Sequence, residues 1–409
     1  MTLRTPFIGL VFVFAPNAFA QNEPTLADLV ARAMAVNPTV AARQYQVQEA
    51  ESMAKSLGSA KNPELELSPG VGFTNSNFVL GQSFDFSGTR AARAKRARAE
   101  TQLARANLRE SQLSLGAELL TAYANLLAAR RNEANALSGL EVAQATVAAI
   151  RKRIEIGEAP AVQLTRAEVE LNRAEQALTL AKSELWTSVS TVNSLLGNAS
   201  TSEVPSVPWS PAADAQALAQ GVQARRPDAL VALAHVDVAK AAELEARRQG
   251  LPAVFAGITA DTWSLDRRPF QRDNVGLQIR LSMPLFDRGE NRHAVRSAEA
   301  AIKGREAELK DVERRIALDV DAATRHVTAA REVANSYEAG IVPKAEHMVK
   351  AMQAGLESGL TSFLEVLEAQ RTLSQLRREA SEALRSLHLA EVRLRTVTAH
   401  MPGLENTKS

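Results

Sequence analysis

The chain has 409 residues, a formal net charge of +2, no cysteine and only 4% aromatic residues, whereas 73 residues are alanine. Abundant alanine, leucine, glutamate, arginine and glutamine are typical of long helices. The lack of cysteine excludes disulfides, thiolate metal sites, a cysteine nucleophile and a lipid-modified cysteine anchor. A net charge near zero gives no reason to expect a nucleic-acid partner. After the first 20 residues no apolar run reaches the ~18 residues of a transmembrane helix, which excludes a helical membrane protein.

The first 20 residues have the organisation of a secretory signal. Arg4 supplies the positive charge, residues 7–15 form an apolar stretch, and Ala18-Phe19-Ala20 fits a cleavage site. We therefore predict a cleaved signal peptide over residues 1–20, with the mature protein beginning at Gln21 outside the cytoplasm. The alternative, an N-terminal membrane anchor, is disfavoured because the apolar stretch is too short to cross a bilayer.

The aromatic residues are concentrated in two windows from which alanine is absent, residues 61–90 and 261–293. Segments that contain phenylalanine and glycine between alanine-rich helices indicate β-strands. The phenylalanines in or beside the two windows are Phe73, Phe78, Phe84, Phe86, Phe255, Phe270 and Phe286.

Within these windows apolar and polar side chains alternate. A strand over 275–285 with one apolar face has about the length that a tilted membrane strand needs. Turn-rich residues interrupt each window, so we predict two hairpins, with four strands near 63–86 and 252–286. The apolar face is expected to contain Val275, Leu277, Ile279, Leu281, Met283 and Leu285 in the second window, and Phe78, Leu80, Phe84 and Phe86 in the first.

The sequence contains an internal duplication. Asn37-Pro38 and Arg226-Pro227 lie 189 residues apart, whereas beyond the two windows Gly157 and Gly359 lie 202 residues apart. A constant offset on each side indicates one shared plan with about 12 extra residues in the second hairpin. The predicted units are two repeats, residues 21–200 and 223–402, joined by a linker over 201–222 and followed by a tail over 403–409.

Long segments of helix-forming residues predict the helices. A helix over 89–156 would be about 100 Å long at about 1.5 Å per residue. In each repeat the two shorter helices together match the long one, so we predict that they stack end to end beside it. The turns near Gly157 and Gly359 would then meet at the far end. Pro343 predicts either a kink or a splice into a new turn. The predicted helices are 37–62, 89–156, 160–197, 226–250, 293–355 and 361–399.

Four membrane strands do not close a barrel by themselves. An open sheet edge leaves unpaired backbone groups in hydrocarbon, and closed membrane barrels have about eight strands or more. If the strands are embedded in a membrane, several copies of the chain must therefore pool their hairpins. The long helices would then pack side by side as a tube below the barrel.

The duplicated helix–hairpin–helix plan resembles the TolC family of outer-membrane efflux ducts over essentially residues 25–400. Residues 82–90 (Gln-Ser-Phe-Asp-Phe-Ser-Gly-Thr-Arg) are similar to the heavy-metal efflux branch, whereas the missing cysteine departs from the lipoprotein branch. The other stretches that carry the resemblance are Asn37-Pro38, residues 283–289 (Met-Pro-Leu-Phe-Asp-Arg-Gly) and residues 359–369 (Gly-Leu-Thr-Ser-Phe-Leu-Glu-Val-Leu-Glu-Ala).

The resemblance implies a mainly α protein with membrane β-strands. Three copies of a tandem-duplicated helix–β-hairpin–helix chain would form a 12-stranded β-barrel continuous with a long periplasmic α-helical barrel. Such a homotrimer is the outer-membrane exit duct of a tripartite efflux or secretion system. It is surrounded by outer-membrane lipid and works with a periplasmic adaptor (a membrane fusion protein) and an inner-membrane pump. It has no catalytic residue, cofactor or metal site, and drugs, metal ions and secreted proteins are all compatible cargoes.

The same resemblance identifies an aperture. Glu365 and Glu368, three residues apart on one helix face, correspond to the acidic residues that ring the family's narrow periplasmic mouth. Six carboxylates from three copies would favour cations, and the alternative is an ordinary solvated helix face. The family's locking salt bridges do not carry over, because its acid corresponds to Gln163 and its arginine partner to Thr361. The aperture turns would involve Gln163, Arg166, Gly157 and Gly359.

Other charged groups have simpler interpretations. Residues 151–153 (Arg-Lys-Arg) would either contact an adaptor or form a plain exposed helix end. The six histidines show no metal-binding spacing. A basic cluster after the first hairpin is expected to be solvated near the periplasmic edge of the membrane, since no aromatic residues accompany it for stacking on nucleic acid. The cluster comprises Arg90, Arg93, Lys95, Arg96 and Arg98.

Two other functional classes are possible on composition. A periplasmic coiled-coil adaptor, or a structural protein without a pore, would also be helical and alanine-rich, but would lack duplicated strand hairpins. An enzyme would require a cluster of acid, base or nucleophile residues, and the sequence contains none that we identify. The exit duct is therefore the favoured prediction.

Overall fold

The computed structural model describes residues 24–68, 76–200, 202–212, 221–249, 251–262, 274–282, 288–358 and 360–404. The predicted signal peptide and Gln21 lie outside these residues, as do Phe73, Phe270, Met283, Leu285 and Phe286. In chain order the elements are α1 (Leu26–Val36), α2 (Pro38–Gly58), β1 (Glu64–Ser68), β2 (Ser76–Phe84), α3 (Thr89–Glu155), α4 (Ala161–Leu195), α5 (Val222–Arg225), α6 (Pro227–Gln249), β3 (Ala253–Thr262), β4 (Asn274–Ser282), α7 (Glu290–Ser336), a π-helical turn (Tyr337–Ile341), α8 (Val342–Glu357) and α9 (Phe363–Val397).

The two predicted hairpins are present and join into one antiparallel sheet of order β1-β2-β3-β4. β1 pairs with β2 and β3 with β4, and β2 also pairs with β3 across the two repeats. In this register Leu80 lies opposite both Leu65 and Ile258, and Ile258 lies opposite Leu277. Each repeat therefore contributes one hairpin to a single sheet.

One face of this sheet is apolar and exposed. The alternation predicted for the second window is confirmed along β4, where Leu277 is 87% exposed. A contiguous apolar surface of this kind requires a partner other than water. Its exposed residues are Leu65, Leu67, Phe78, Leu80, Phe84, Ile258, Val275, Leu277, Ile279 and Leu281.

The opposite face of the sheet is more polar and contains a close-packed stack. The Phe255 ring lies against Gly81, where an added Cβ would be 2.2 Å from the ring's Cζ. The Arg280 guanidinium carbon lies 5.2 Å from the centre of the Phe255 ring, and its nitrogen is 4.0 Å from a Glu66 carboxylate oxygen. A glycine, an aromatic ring and an ion pair thus link strands across the sheet.

The helices form a row of four columns in which short helices are stacked end to end, as predicted. In the first repeat α2 and α4 both pack along α3. Arg105 of α3 pairs with Glu51 of α2 at 2.8 Å, while Val147 and Ile150, further along α3, pack against Ala167 of α4. In the second repeat α6 and α9 both pack along α7, and α9 continues along α8. Because α3 also packs against α6 and α9, the column order is α2 with α4, α3, α6 with α9, and α7 with α8.

The long helix of the second repeat is interrupted, in contrast to the continuous α3. Its predicted counterpart over 293–355 is instead α7, a π-helical turn and α8. Pro343 lies at the start of α8, where it lacks an N–H for the helical ladder and its ring clashes with the preceding turn. A π-turn relieves such a clash. The interruption that Pro343 predicts is therefore present, in the form of a π-helical turn just before this proline.

Helix α1 was not predicted, although its N-terminal signal is present in the sequence. Thr25 and Asp28 form a reciprocal capping box, in which each side chain accepts a hydrogen bond from the other's backbone N–H. The helix ends at Asn37, whose side chain accepts a hydrogen bond from the Thr39 N–H at 2.8 Å and caps α2. Pro38 at the first position of α2 explains why two helices are present instead of one.

Residues 202–212, between the repeats, are held against the helical columns by buried polar contacts that we call the linker clamp. The fully buried Tyr123 hydroxyl donates to the Val207 carbonyl at 2.8 Å and accepts from the Val207 N–H at 2.6 Å. Trp209 stacks on His388 with ring centres 4.2 Å apart and donates its Nε1–H to the buried Glu391 at 2.7 Å. The linker is therefore part of the packed structure at these residues.

Candidate functional site

The two helical hairpins end together at the end of the columns opposite the sheet, which confirms the predicted meeting of their turns. A small apolar core joins α3 and α4 of the first repeat to α9 of the second. Phe363 and Leu367 on α9 pack with Val147, Ile150 and Ala167. We call this end of the molecule the tip.

The two tip turns are closed by different backbone geometries. In the first, Gly157 has a φ of +80°, which closes α3 with the left-handed residue that favours glycine. In the second, Gly355 accepts hydrogen bonds from the N–H groups of Leu360 and Thr361. A Cβ at position 355 would lie 2.1 Å from the Thr361 Oγ1. Gly359, which was predicted to lie in this turn, falls outside the described residues.

Glu365 caps the helix on which it lies. Its carboxylate accepts hydrogen bonds from the backbone N–H of Ser362 at 2.7 Å and from the Ser362 hydroxyl at 3.0 Å. The Ser362 hydroxyl accepts in turn from the Glu365 N–H, which completes a capping box at the start of α9. The two hydrogen bonds from Ser362 lower the pKa of Glu365. The exposed Glu365 side chain is therefore both charged and fixed in place.

Glu368 lies one turn further along α9 and is also exposed. Its charge helps to raise the pKa of the nearby Arg371, although the main cause of that shift is the hydrogen bond from Arg371 to Glu170. The structure therefore places Glu365 and Glu368 on one helix at the tip, beside an arginine.

An ion pair between Arg371 and Glu170 joins the two repeats at this level, and the sequence reasoning missed it. Glu170, on α4, is bound by Arg371 from α9 and by Arg173 from its own helix at 2.8 Å. Its side chain is only 17% exposed, and the pKa of Glu170 is lowered chiefly by the hydrogen bond from Arg371. No sequence motif signals such a pair, because it depends on how α4 and α9 pack.

The other predicted tip residues have less defined contacts. Gln163 is half-buried in the first turn of α4, and Arg166 is exposed. Arg151 lies 3.7 Å from Glu168, and Arg153 lies 3.7 Å from Glu158, so two members of the basic triplet at the end of α3 have carboxylate neighbours. Lys152 between them is exposed.

Among the described residues, no group of three or more histidine, aspartate and glutamate side chains is arranged to hold a metal ion. The described helices likewise include none with the length and apolar character to span a membrane.

Comparison with known proteins connects this geometry to a family. A family model for outer membrane efflux proteins matches residues 29–198 and 218–400, one segment for each half of the chain. The chain belongs to this family. Its place in an outer-membrane efflux family confirms the predicted exit-duct role and outer-membrane location over the adaptor alternative.

Related proteins and structures agree with this assignment. The cobalt-zinc-cadmium resistance protein CzcC of Cupriavidus metallidurans is 27% identical over 306 residues, which cover 72% of this chain and 69% of CzcC. The nickel and cobalt resistance protein CnrC of the same organism is 24% identical over 332 residues, which cover 76% of this chain and 75% of CnrC. These are the kind of relatives that the resemblance of residues 82–90 indicated.

The chain has the same fold as solved structures of outer-membrane and channel proteins. The outer membrane protein VceC from Vibrio cholerae superposes with a TM-score of 0.76 at 19% identity, covering 91% of this chain and 95% of VceC. CusC, described as forming a transmembrane channel, superposes with a TM-score of 0.77 at 17% identity, and the match covers 96% of this chain and 98% of CusC. The predicted fold class, duplicated helix–hairpin–helix with membrane strands, is confirmed by these similarities.

Proposed function

We propose that three copies of the chain form a continuous duct through the outer membrane and periplasm, through which an inner-membrane pump and a periplasmic adaptor export divalent metal cations. The observation that carries this proposal is the exposed apolar sheet face above four helical columns. Among the described residues, β1 and β4 end the sheet and each pairs with one neighbour only. A membrane admits a strand edge of this kind only if it pairs with another chain. Three four-stranded sheets would close a 12-stranded barrel.

The charge at the tip supports a preference for cations. Glu365 is held ionised by its capping hydrogen bonds, and Glu368 follows on the same exposed helix face. Repeated three times around a constriction, these carboxylates would attract cations and repel anions. Relatives named for resistance to cobalt, zinc, cadmium and nickel make divalent cations the favoured cargo.

The ion pair between Glu170 and Arg371 supports a closed resting state. The two residues belong to different repeats and hold α9 against α4 beside the acidic pair. Gln163 and Thr361 carry no charge, so in this chain Glu170 and Arg371 would replace the family's lock. Opening would then require α9 to leave α4, at the cost of a partly buried charge pair.

The two tip turns would contact the adaptor. They expose apolar side chains that the fold itself leaves uncovered, Ile156 and Val162 in the first turn and Leu360 and Leu364 in the second. Leu360 is 87% exposed. Apolar tips flanked by the basic end of α3 would bind a partner of matching shape and acidic charge.

Residues 1–20 would direct export and then be removed. N-terminal sequencing of the mature protein tests this, and a start at Gln21 is expected.

The function itself is tested in planar bilayers with a salt gradient across the membrane. Wild-type protein is expected to give unitary currents with a cation-selective reversal potential, and Glu365→Gln with Glu368→Gln should reduce that selectivity. The matched control, Glu175→Gln with Glu332→Gln, removes equal charge from exposed sites elsewhere on α4 and α7. Equal reversal potentials for both variants would exclude the acidic pair as the selectivity element.

A further inference from the structure

A positively charged residue lies at each of the four junctions between strands and helices. Lys61 precedes β1, Arg90 follows β2, Arg248 precedes β3 and Arg288 follows β4, and all four side chains are exposed. The strands are antiparallel, and each is joined to a helix at the same end of the sheet. These four residues therefore lie together at the strand ends that face the helices, and we call them the basic rim.

Hydrogen bonds hold three of these junctions together. Gln82 on β2 donates to the Lys61 carbonyl at 3.0 Å. Thr89 donates to the Arg248 carbonyl at 3.0 Å, and Arg248 donates to the Ser87 carbonyl at 3.3 Å. The fourth junction follows from the register, which pairs the end of β4 with the start of β3. The rim is thus built on a connected part of the fold.

The basic cluster after the first hairpin separates into two groups. Arg93 and Arg96 both bind the mostly buried Glu245 of α6, at 3.1 and 3.3 Å, so they contribute to helix packing. Arg90, by contrast, is exposed at the junction after β2, as the other members of the basic rim are at theirs. Arg248, through its bonds to Ser87 and Thr89, also links α6 to the start of α3.

Aromatic and apolar side chains lie between the basic rim and the apolar sheet face. Phe84 is on the exposed apolar face, and Phe86, 77% exposed, stacks on it with ring centres 6.1 Å apart. Leu251, before β3, is also exposed. An apolar band, then aromatic rings, then cations is the order of groups found where a protein crosses from hydrocarbon to lipid headgroups.

We infer that the basic rim binds the phosphate groups of anionic phospholipids in the periplasmic leaflet of the outer membrane. Phe84 and Phe86 lie at the boundary between headgroups and acyl chains, and together with the rim they fix how deep the sheet sits. This inference rests on the proposed insertion of the strands, and adds the chemistry of the lipid that the protein prefers. Headgroup phosphates satisfy exposed cations at the edge of an apolar surface, where anionic lipid attracts each Lys or Arg.

The test compares lipids and free phosphate on detergent-purified protein by thermal unfolding. Phosphatidylglycerol is expected to raise the unfolding midpoint of the wild type more than phosphatidylcholine does, and inorganic phosphate at the same concentration is expected to have no effect. The variant Lys61→Gln, Arg90→Gln, Arg288→Gln should lose at least half of the phosphatidylglycerol effect. The control Lys303→Gln, Arg314→Gln, Arg378→Gln removes the same charge from exposed helix positions and should retain it. An equal effect in both variants, or an equal effect of inorganic phosphate, would overturn the inference.

A second variant tests the depth without depending on the charge changes. Phe86→Trp is reconstituted in vesicles of phosphatidylethanolamine and phosphatidylglycerol, with the wild type and its three native tryptophans as background. The added fluorescence should be quenched more by lipids brominated near the carbonyls than by lipids brominated near the chain ends. Stronger quenching from the chain ends, or none, contradicts the inference. Wild-type protein that does not associate with vesicles at all would instead contradict the proposed membrane insertion.

Discussion

Arg371 of α9 forms an ion pair with Glu170 of α4, and this pair is a polar link between the two repeats at the tip. The partners are 201 residues apart in sequence but meet because α4 and α9 share the apolar core built by Ala167 and Phe363. Glu170 is also bound by Arg173 and is mostly buried, so its carboxylate is paired with two guanidinium groups and has little contact with water. Loss of Arg371 would leave this carboxylate with a partner on its own helix only.

Removing the Glu170 charge should weaken the closed state of the tip. Glu170→Gln is expected to increase the open probability in single-channel recordings, because Arg371 loses its ionic partner across the repeats. The swapped pair Glu170→Arg with Arg371→Glu should recover part of the closed state, although Arg173 and Glu368 would then lie beside like charges. Arg173→Gln should change little, because the contact with Arg371 remains. A swap no better than either single variant would show that the pair does not hold the tip closed.

The same pair predicts an acid-sensitive tip. The pKa of Glu170 lies below its ordinary value of 4.5, chiefly because of the hydrogen bond from Arg371. A lowered pKa means that the pair contributes its full stability above pH 4.5 and loses it as the pH falls through the lowered value. Channel opening is therefore expected to rise below pH 4.5. Glu170→Gln should remove most of this rise, and a rise of unchanged size in the variant would assign it to other carboxylates such as Glu365.

Glu365 and Glu368 should respond differently to neutralisation. Glu365→Gln removes a charge and also weakens the capping box with Ser362, whereas Glu368→Gln removes only a charge. Both substitutions are expected to reduce cation selectivity, but only Glu365→Gln should speed amide hydrogen exchange in the first turn of α9. Equal exchange in the two variants would mean that the capping box does not stabilise the start of this helix.

Much of the fold was accessible from the sequence because its signals are periodic and repeated. The constant offset between the halves, and the alternation along β4, predicted the duplication, the hairpins and their apolar face. Helix lengths predicted that α2 and α4 stack beside α3. Helix α1 was not predicted, although Thr25 and Asp28 form a capping box, because it is short and directly precedes the stronger helix-start signal at Asn37-Pro38.

The contacts of the candidate site were less accessible. The residue pattern identified Glu365 and Glu368 only through a family resemblance, and it gave no indication that Glu365 caps a helix. The pairing of Glu170 with Arg371 depends on the rotation of two long helices about their axes, which periodicity does not specify. The π-turn before Pro343 shows the same limit, since proline indicates a break but not its form.

The glycine under Phe255 should be sensitive to substitution. In Gly81→Ala the new Cβ would lie 2.2 Å from the Phe255 Cζ and 2.8 Å from the Ala256 carbonyl oxygen. Overpacking of this kind costs about 1–3 kcal/mol, so the thermal midpoint of the purified protein should fall. The control Gly276→Ala meets only the Thr259 methyl group at 3.5 Å, an ordinary contact, and should be tolerated. Equal midpoints for the two variants would contradict the described packing of Phe255.

The linker clamp predicts a pH-dependent stability near neutrality. Burial lowers the pKa of His388 below its ordinary 6.5, and Arg395 lowers it further, while Glu391 partly opposes this. A lowered histidine pKa means that the unfolded chain takes up the proton first, so stability falls as the pH decreases below 6.5. His388→Phe retains a ring for Trp209 and cannot titrate. Its thermal midpoint should therefore fall less than that of the wild type between pH 7.5 and 5.5 (about one unit either side of the ordinary value), and parallel falls would contradict the assignment.

The central claim is that three chains pool their hairpins into one outer-membrane duct. The most direct measurement is the migration of unboiled and boiled protein from separated outer-membrane and periplasmic fractions on a denaturing gel. The account predicts a trimer in the unboiled outer-membrane fraction that converts to a single-chain band on boiling. Recovery of the protein as a monomer in the soluble periplasmic fraction would contradict it.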